Sequence, residues 1–518
     1  MRSLKKVSFI LFLSLFFVLT GCGSDSSSGG EPTEGGTLNI ALDATPPTLD
    51  PTMNAATSTR DTTRLMFESL VTTDADFKPV PMLADSIDVS EDNKTYTFHL
   101  REGIKFHNGD EMVAEDVIAS MEHWLNNSKV SGNLFDGATW EEEDEYTVVL
   151  DLAEPSPLTL DTLATSKQAP GIMPKEIIDD APAEGIDEYI GTGPFQLNEW
   201  KQDQYIYFTK FDDYQPVDEP TDGLSGKKEA LVDDVYFHLV SETSTRISGL
   251  QSGEYDFAYN IPYDNYDQLE QDPTIETLPV PSANALFKFN LVEGISSNQE
   301  MREIINMALD VDDIMMAAFP NKDFYWLDSG YMHEGIKDWA SEAGSELHNQ
   351  NDMEKAKEML AESDYDGEEF RILTTRDYDH FYNIAVVINE QLQELGLNST
   401  LEIFDWPTVN EVVNEPDQWD GLVITMSIVS TPPQLLYLSP QWAGGYDDEN
   451  IPALMNTIEH ADSSDEAQEL WDELQLYVWE DLLPLVQFGG FSTVLAMSED
   501  VKGVDAPLGP IFWNVTVE

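Results

Sequence analysis

The fold is decided by residues 83–121, which read LADSIDVSEDNKTYTFHLREGIKFHNGDEMVAEDVIASM. Apolar side chains alternate with polar ones in the segment TYTFHLR, at Tyr96, Phe98 and Leu100. This alternation is typical of a strand with one buried face. Further on, an Asn-Gly-Asp sequence favours a tight turn with a positive φ at Gly109, and residues 114–120 have the acidic first turn of a helix. The stretch therefore predicts a strand, a turn and a helix in close succession.

The order of these pieces resembles the hallmark of the family 5 extracellular solute-binding proteins, the receptors that feed peptide and nickel ABC importers. The matching pattern is Ser-Glu-Asp-x-x-Thr-Tyr-Thr-Phe-His-Leu-Arg-Glu-Gly-x-Lys-Phe-His-x-Gly, followed by Ala-Glu-Asp-Val. One position departs from the family, which usually has Thr where this chain has Val113. Valine cannot cap a helix, so we expect Asp110 or water to serve the free N–H groups. The resemblance covers nearly all of the chain that follows the N-terminal segment.

The resemblance implies an α/β, two-lobed fold like that of periplasmic binding proteins, with an extra β-rich subdomain inserted in lobe one. The length of 518 residues also favours more than one lobe, because it is too great for a single compact core. Pro279 and Pro281 mark the crossing between the lobes. The predicted bounds are 37–75, 189–277 and 485–518 for lobe I, 76–188 for the inserted subdomain and 278–484 for lobe II.

Acidic residues dominate the charge of the chain: 98 Asp and Glu stand against 26 Lys and Arg, for a formal net charge of −72. A nucleic-acid partner is excluded, because phosphate backbones must be neutralised by cations. Two interpretations remain, a cationic ligand or a surface that stays hydrated in high salt. We favour the second and infer a salt-rich habitat. The hydrophobic fraction of 41% predicts a folded body rather than a disordered acidic chain.

The N-terminus reads as a processing segment. Basic residues precede an apolar run at 7–19, which predicts a signal peptide over residues 1–21. The sequence LTGC that follows resembles a bacterial lipobox, which implies that Cys22 is lipidated and that cleavage occurs just before it. Cys22 is the only cysteine, so a disulfide or a thiol site in the mature body is excluded. Residues 22–36 are rich in Gly and Ser and predict a flexible tether on the outer face of the cytoplasmic membrane.

Catalytic and metal-binding motifs are missing from the sequence. It has no Gly-x-Ser-x-Gly elbow, no His-Glu-x-x-His pair, no phosphate-binding Gly-Lys-Ser/Thr loop and no EF-hand spacing. His99 and His107 flank a hairpin without a third His or Cys, and the resemblance places both in structural strands. We therefore predict that the chain is not an enzyme and has no catalytic residue, metal or cofactor.

The candidate ligand contacts come from the resemblance. The loop after the first strand, which begins with Asp43, faces the ligand cleft in the family. The segment EIFDWPTV resembles the family's strand that ends in an acid and Trp at the cleft wall, which implies Asp405 and Trp406. Trp406 is the best single candidate, although a buried aromatic residue is as often simply part of the core.

A second segment departs from the family's peptide-binding members. Those members often carry Asp in a segment like Asp-Tyr-x-Asp-Pro, where it pairs with the α-ammonium group of the peptide. The matching run here, MSIVSTPPQ, has no Asp. Ser430 and Thr431 are the polar candidates in this run, and Trp442 beyond it is a candidate second aromatic wall. We expect no strong preference for a free amino terminus unless Asp43 or Asp405 replaces the missing anion.

We interpret the chain as a monomeric, lipid-anchored substrate-binding protein of an ABC importer. It would capture peptides by hinge closure and deliver them to the permease subunits of the importer. An oligosaccharide or another non-peptide solute is the alternative ligand. A secreted acidic hydrolase is the alternative from a different class of protein.

Overall fold

The structure is a computed structural model that describes residues 34–131, 134–182 and 185–518. Its strands are β1 Thr37–Leu42, β2 Val71–Thr73, β3 Pro79–Pro81, β4 Ala84–Val89, β5 Thr95–Leu100, β6 Thr139–Asp144, β7 Thr147–Asp151, β8 Phe195–Lys201, β9 Tyr205–Lys210, β10 Asp234–Leu239, β11 Phe257–Ile261, β12 Ile275–Phe289, β13 Tyr325–Leu327, β14 Glu369–Thr375, β15 Asn398–Phe404, β16 Gly421–Ser427, β17 Leu485–Ser498, β18 Val501–Lys502 and β19 Thr516–Val517. Its helices are α1 Thr57–Thr63, α2 Ala114–Asn127, α3 Thr159–Leu163, α4 Lys175–Asp179, α5 Thr243–Ser252, α6 Tyr263–Glu270, α7 Gln299–Ala308, α8 Val311–Ala318, α9 Met353–Glu362, α10 Asp379–Leu395, α11 Trp406–Val412, α12 Asn450–Glu459 and α13 Ser464–Tyr477. The predicted signal peptide, Cys22 and most of the predicted tether lie outside the described residues.

The stretch at residues 83–121 forms the elements that its sequence predicts. β5 buries the alternating side chains of Tyr96, Phe98 and Leu100. Gly109 has a φ of +92° in the predicted turn. The helix α2 then begins at Ala114. β4, β5, β7 and β6 form a four-stranded antiparallel sheet in that order, and α2 packs against β6 and β7. Together they make the β-rich subdomain.

The start of α2 is capped differently from our expectation. The N–H of Val113 donates to Oδ2 of Asp116 at 3.0 Å, and the N–H of Asp116 donates to the carbonyl oxygen of Val113 at 3.1 Å. Asp110 accepts instead from the side-chain amide of Asn108 at 2.7 Å. The N–H of Ala114, the first helical residue, donates to the carbonyl oxygen of Glu145 at 2.9 Å. Asp110 as the partner of these N–H groups is therefore wrong, because a carbonyl oxygen from the turn between β6 and β7 takes that place, and water as the alternative partner stays a prediction.

A mixed sheet of eleven strands runs through both lobes. Its order is β15-β14-β16-β12-β17-β11-β1-β10-β9-β8, and β13 adds to β17. The first lobe holds the part from β11 to β8, and the second lobe holds β14, β15 and β16. Parallel pairing occurs between β1 and β10 in the first lobe and between β14 and β15 in the second. Each lobe therefore has the parallel strands that are typical of α/β architecture.

Two long antiparallel strands, β12 and β17, connect the lobes and are called the crossing ribbon here. At one end of the ribbon, Ala496 of β17 pairs with Ala258 of β11 in the first lobe. At the other end, Leu286 of β12 pairs with Ile424 of β16 in the second lobe. The main chain thus passes between the lobes without leaving the sheet.

The pairing within the crossing ribbon is irregular near its middle. Pro279 and Pro281 lie in β12, and the register shifts between Pro281 and Ala283 and again after Ala285. A proline removes a ladder donor, and a register shift bends and twists a strand. The prolines that mark the crossing in the sequence therefore coincide with the least regular part of the ribbon. The domain bounds drawn from the sequence remain a prediction.

Two large apolar clusters form most of the interior. One lies in the first lobe and includes Ile40 and Phe237. The larger one spans the second lobe and the β-rich subdomain, where it includes Phe287 and Phe98, and it extends into the first lobe at Ala258. Within the described ranges, no helix has the length and apolar character needed to cross a membrane.

Candidate functional site

A cavity of about 1050 Å³ lies over the crossing ribbon and between the two lobes. The first lobe contributes the loop after β1, the start of α1 and the end of β11, and the loop after α3 lies on the same side. The second lobe contributes the start of α10, Trp406 at the start of α11, and the end of β16. Small-molecule sites in proteins have volumes of about 300 to 1000 Å³. The cavity is therefore large enough for a ligand that touches both lobes.

Aromatic rings line the second-lobe side of the cavity and its floor. We call this group the aromatic wall; its members are Tyr378, His380, Phe381, Trp406 and Phe491. The ring of Trp406 lies 5.5 Å from that of Phe381 and 5.7 Å from that of Tyr378, both in edge contact. Tyr378 is 43% exposed. Burial lowers the pKa of His380 to about 4, so its imidazole is neutral at ordinary pH.

Backbone and side-chain contacts hold this wall in place. The N–H of Trp406 donates to Oδ2 of Asp377 at 2.7 Å, which joins the loop before α10 to the start of α11. The ring of His380 lies 5.5 Å from that of Phe491 on the crossing ribbon. The wall is therefore attached both to the second lobe and to the ribbon.

The opposite side of the cavity carries Arg60, Asp61 and Lys167. Together with Arg64, which pairs with Asp61 but does not line the cavity, they form a charged group that we call the cation cluster. Asp61 is fully buried, and its Oδ1 lies 2.7 Å from Nε of Arg60 and 3.5 Å from Nη2 of Arg64. The hydroxyl of Tyr259 donates to Oδ2 of the same carboxylate at 3.2 Å. Burial, with the nearby charge of Arg60, lowers the pKa of Lys167 to about 7.

Two of the six predicted ligand contacts line this cavity. Asp43 lies in the first-lobe wall, where its Oδ2 accepts from Nδ2 of Asn260 at 2.6 Å. Trp406 lies in the aromatic wall on the other side. The structure thus brings these two residues to one cavity, from opposite lobes.

The other four predicted contacts do not line this cavity. Asp405 is exposed and caps α11 by accepting from the N–H of Thr408 at 2.9 Å, and the same contacts lower its pKa. The N–H of Ser430 donates to the side chain of Gln434 at 3.0 Å, and Thr431 is only 1% exposed. Trp442 is half-buried against a small apolar cluster of the second lobe. A role in ligand binding remains a prediction for all six residues.

Sequence reasoning missed the cation cluster and most of the aromatic wall. Arg60 and Lys167 belong to different elements, so no spacing in the sequence connects them. The one signal available was their scarcity, since the chain has only 26 basic residues. Across the residues that the structure describes, no group of three or more His, Cys, Asp or Glu side chains is arranged to hold a metal ion.

Comparison with known proteins identifies the family. The model of the family described as bacterial extracellular solute-binding proteins, family 5 Middle, matches residues 78–450. This chain is a family 5 extracellular solute-binding protein. The family 5 protein is 26% identical over 484 residues to the probable peptide ABC transporter periplasmic-binding protein y4tO of Sinorhizobium fredii, covering 90% of this chain and 91% of the relative. It is 24% identical over 468 residues to the oligopeptide-binding protein AppA of Bacillus subtilis, covering 83% and 82%.

Solved structures have the same architecture as this family 5 protein. The binding protein AgaA from A. tumefaciens R10, in complex with agropinic acid, is 27% identical, with a TM-score of 0.74 over 93% of this chain and 99% of that one. The protein DppA from Helicobacter pylori, in complex with the peptide STSA, is 22% identical, with a TM-score of 0.76 over 94% and 99%. The predicted family and the predicted two-lobed α/β fold are confirmed. The protein belongs to the extracytoplasmic substrate-binding proteins of ABC transporters.

Proposed function

We propose that this protein captures a peptide by closing its two lobes over the cavity, and that it delivers the closed complex to the permease of an ABC importer. The observation that carries the proposal is the single cavity lined by both lobes over the crossing ribbon. A ligand drives closure only if it binds the closed form more tightly than the open form. A ligand held between Asp43 on one side and Trp406 on the other meets this condition, because opening removes one set of contacts.

Two contacts outside the cavity lining bear on closure. Nζ of Lys78 lies 3.9 Å from Oδ1 of Asp338, and Nδ1 of His460 lies 2.9 Å from the carbonyl oxygen of Pro155. Both contacts join the β-rich subdomain to segments of the second lobe. The exposed ion pair of Lys78 with Asp338 contributes little stability, so it leaves the ligand to decide the equilibrium between the open and closed forms.

The proposal includes the anchor and the mode of action. We place the protein as a monomer on the outer face of the cytoplasmic membrane, attached through lipid on Cys22, with no catalytic step. Relatives named for peptides favour a peptide ligand. A non-peptide solute is the second candidate, favoured by the absence of Asp from residues 426–434 and by the likeness to a protein solved with agropinic acid.

Mass spectrometry of the ligand retained on purification tests the proposal. We expect a peptide that is lost when the protein is unfolded and washed, and that rebinds after refolding. A retained sugar or other non-peptide solute would contradict the peptide ligand and support the second candidate, a non-peptide solute. Turnover of generic esters or peptides by the purified protein would contradict the binding role and favour the hydrolase.

A further inference from the structure

The cation cluster has more positive charge than its own acid balances. Three basic side chains, those of Arg60, Arg64 and Lys167, surround the single carboxylate of Asp61. Glu68 does not balance this charge, because it forms an ion pair with Lys228: Nζ of Lys228 lies 3.1 Å from Oε1 of Glu68. Arg60 and Lys167 are the Lys and Arg side chains of the cavity lining, and both lie beside Asp61. In a chain with a net charge of −72, two basic side chains at one place in a cavity point to an anionic group of the ligand.

Arg60 is positioned to donate to such a group. Its Nε is directed to Asp61, and within the described part of the chain its two terminal nitrogens donate to no protein acceptor. The side chain is 11% exposed and lines the cavity. Guanidinium groups prefer planar, two-pronged contacts with carboxylates. The free edge of Arg60 therefore suits a carboxylate better than a hydroxyl.

Gly509 fixes the position of this guanidinium. It has a φ of +86°, and a Cβ added there would lie 2.1 Å from Nη2 of Arg60. Arg64 holds the same loop, because its Nη2 donates to the carbonyl oxygen of Leu508 at 3.0 Å. Because residue 509 has no side chain, Arg60 can occupy the space beside it. The loop at residues 508–509 therefore packs directly against Arg60 and Arg64.

Lys167 provides the second basic side chain. Its Nζ has no carboxylate within 4.0 Å among the described residues, although it lies in a half-buried site beside Arg60. Burial without a paired anion favours the neutral form of this amine, and a ligand carboxylate between Lys167 and Arg60 would favour the charged form. The acids of the cavity wall, among them Asp43, Asp377 and Asp379, are available to a positive group elsewhere on the ligand.

We propose that Arg60 and Lys167 form a carboxylate subsite on the first-lobe side of the cleft, which makes the ligand an acid that also carries an amine. This inference rests on the proposed function, and it names the chemistry of one end of the ligand. The carboxylate comes from the C-terminus of a peptide or from an acidic side chain.

The test uses ligand-free protein, prepared by unfolding, washing and refolding, and two peptide mixtures. The first is a tryptic digest of a standard protein, and the second is the same digest with every carboxyl group converted to an amide. We expect the wild type to capture peptides from the first mixture and at least tenfold less from the second. An acidic residue at a fixed position in the captured peptides would assign the side chain as the source, and its absence would assign the C-terminus.

Variants separate the subsite from the general charge of the protein. We expect Arg60→Gln and Lys167→Gln to lose most of the tenfold preference while keeping the circular dichroism spectrum of the wild type. Lys201→Gln and Lys355→Gln remove exposed lysines and serve as matched controls that keep the preference. Retention of the full preference by Arg60→Gln and Lys167→Gln would overturn the assignment to these residues.

The outcomes distinguish this inference from the proposed function. Equal capture from both mixtures would overturn the carboxylate subsite and leave peptide binding intact. Capture from neither mixture would contradict peptide binding, and the solute retained on purification would then decide: an acid retained by the wild type and lost by Arg60→Gln supports the subsite, whereas a neutral solute or no solute overturns it.

Discussion

Nδ2 of Asn260 donates to Oδ2 of Asp43 at 2.6 Å in the first-lobe wall of the cleft. Asn260 has a φ of +47° and lies where the pairing of β11 with β17 shifts register, between Ala258 and Ile261. Asparagine tolerates this left-handed conformation better than most residues, so the irregular end of β11 can direct its amide to Asp43. The contact fixes the carboxylate in the wall of the cavity.

This contact makes Asp43 the better replacement for the Asp that is missing from residues 426–434. We expect the wild type to prefer a captured peptide with a free amino terminus over its N-acetylated form, and Asp43→Asn to remove about 1.5 to 3 kcal/mol of that preference. Asp405→Asn is the matched control, because Asp405 is exposed and does not line the cavity. Calorimetry with the peptide pair measures the difference, and an undiminished preference in Asp43→Asn would exclude this role.

Salt is expected to stabilise the fold. The acidic side chains, which give a formal net charge of −72, repel one another in the folded protein. Counterions screen this repulsion beyond a Debye length of about 10 Å at 0.1 M salt and about 3 Å at 1 M. The midpoint of urea denaturation should therefore rise steadily between low and high NaCl. A midpoint that does not move would show that the acids are locally compensated, and the inferred salt-rich habitat would lose its support.

Lys288 in the crossing ribbon gives a prediction of pH dependence. It is 1% exposed, and burial lowers its pKa to about 7 from an unfolded value near 10.4. Between these pH values the unfolded chain binds a proton that the folded protein does not, so the free energy of unfolding rises with pH from about 7 to about 10. The slope from this one group is at most about 1.4 kcal/mol per pH unit.

The variant Lys288→Met tests this assignment. It removes the titrating amine, so the free energy of unfolding should become flatter between pH 7 and 10 by about that slope. Lys355→Met changes an exposed lysine and should leave the profile as in the wild type. Urea denaturation at three pH values across the window measures the effect. Equal slopes in the wild type and Lys288→Met would mean that Lys288 titrates near its ordinary value.

The lipid anchor is tested at Cys22. A diacylglyceryl group supplies the two acyl chains needed for stable membrane attachment. We expect Cys22→Ala to release the protein from the membrane fraction into the medium, and Ser24→Ala, a neighbouring change in the predicted tether, to leave it attached. Fractionation followed by immunoblotting measures the distribution, and a Cys22→Ala variant that stays in the membrane fraction would refute the lipobox interpretation.

The elements that could be predicted from the sequence are those with a local signature. The alternation at Tyr96, Phe98 and Leu100 is a property of one strand, and the structure buries all three. The turn at Gly109 and the end of α10 at Gly396, with a φ of +111°, follow from the freedom of glycine to adopt positive φ. Such features depend only on neighbours in the chain.

The site depends on contacts that no local pattern contains. Asp43 and Trp406 were predicted through the family resemblance, and both line the cavity. Arg60 and Lys167 were missed, because they come together only when α1 and the loop after α3 pack side by side. Thr431 was predicted as a ligand contact because of its hydroxyl, yet it is buried within the second lobe. Its burial could not be predicted, because an irregular segment has no repeating pattern of buried and exposed residues.

The central claim is that a ligand closes the two lobes about the crossing ribbon. Small-angle X-ray scattering tests it most directly, on protein that retains its purified ligand and on the same protein after unfolding, washing and refolding. We predict a smaller radius of gyration for the loaded protein, restored in the refolded protein when the ligand is added back. Identical scattering from the two samples, with the ligand shown to be bound by native mass spectrometry, would contradict the account.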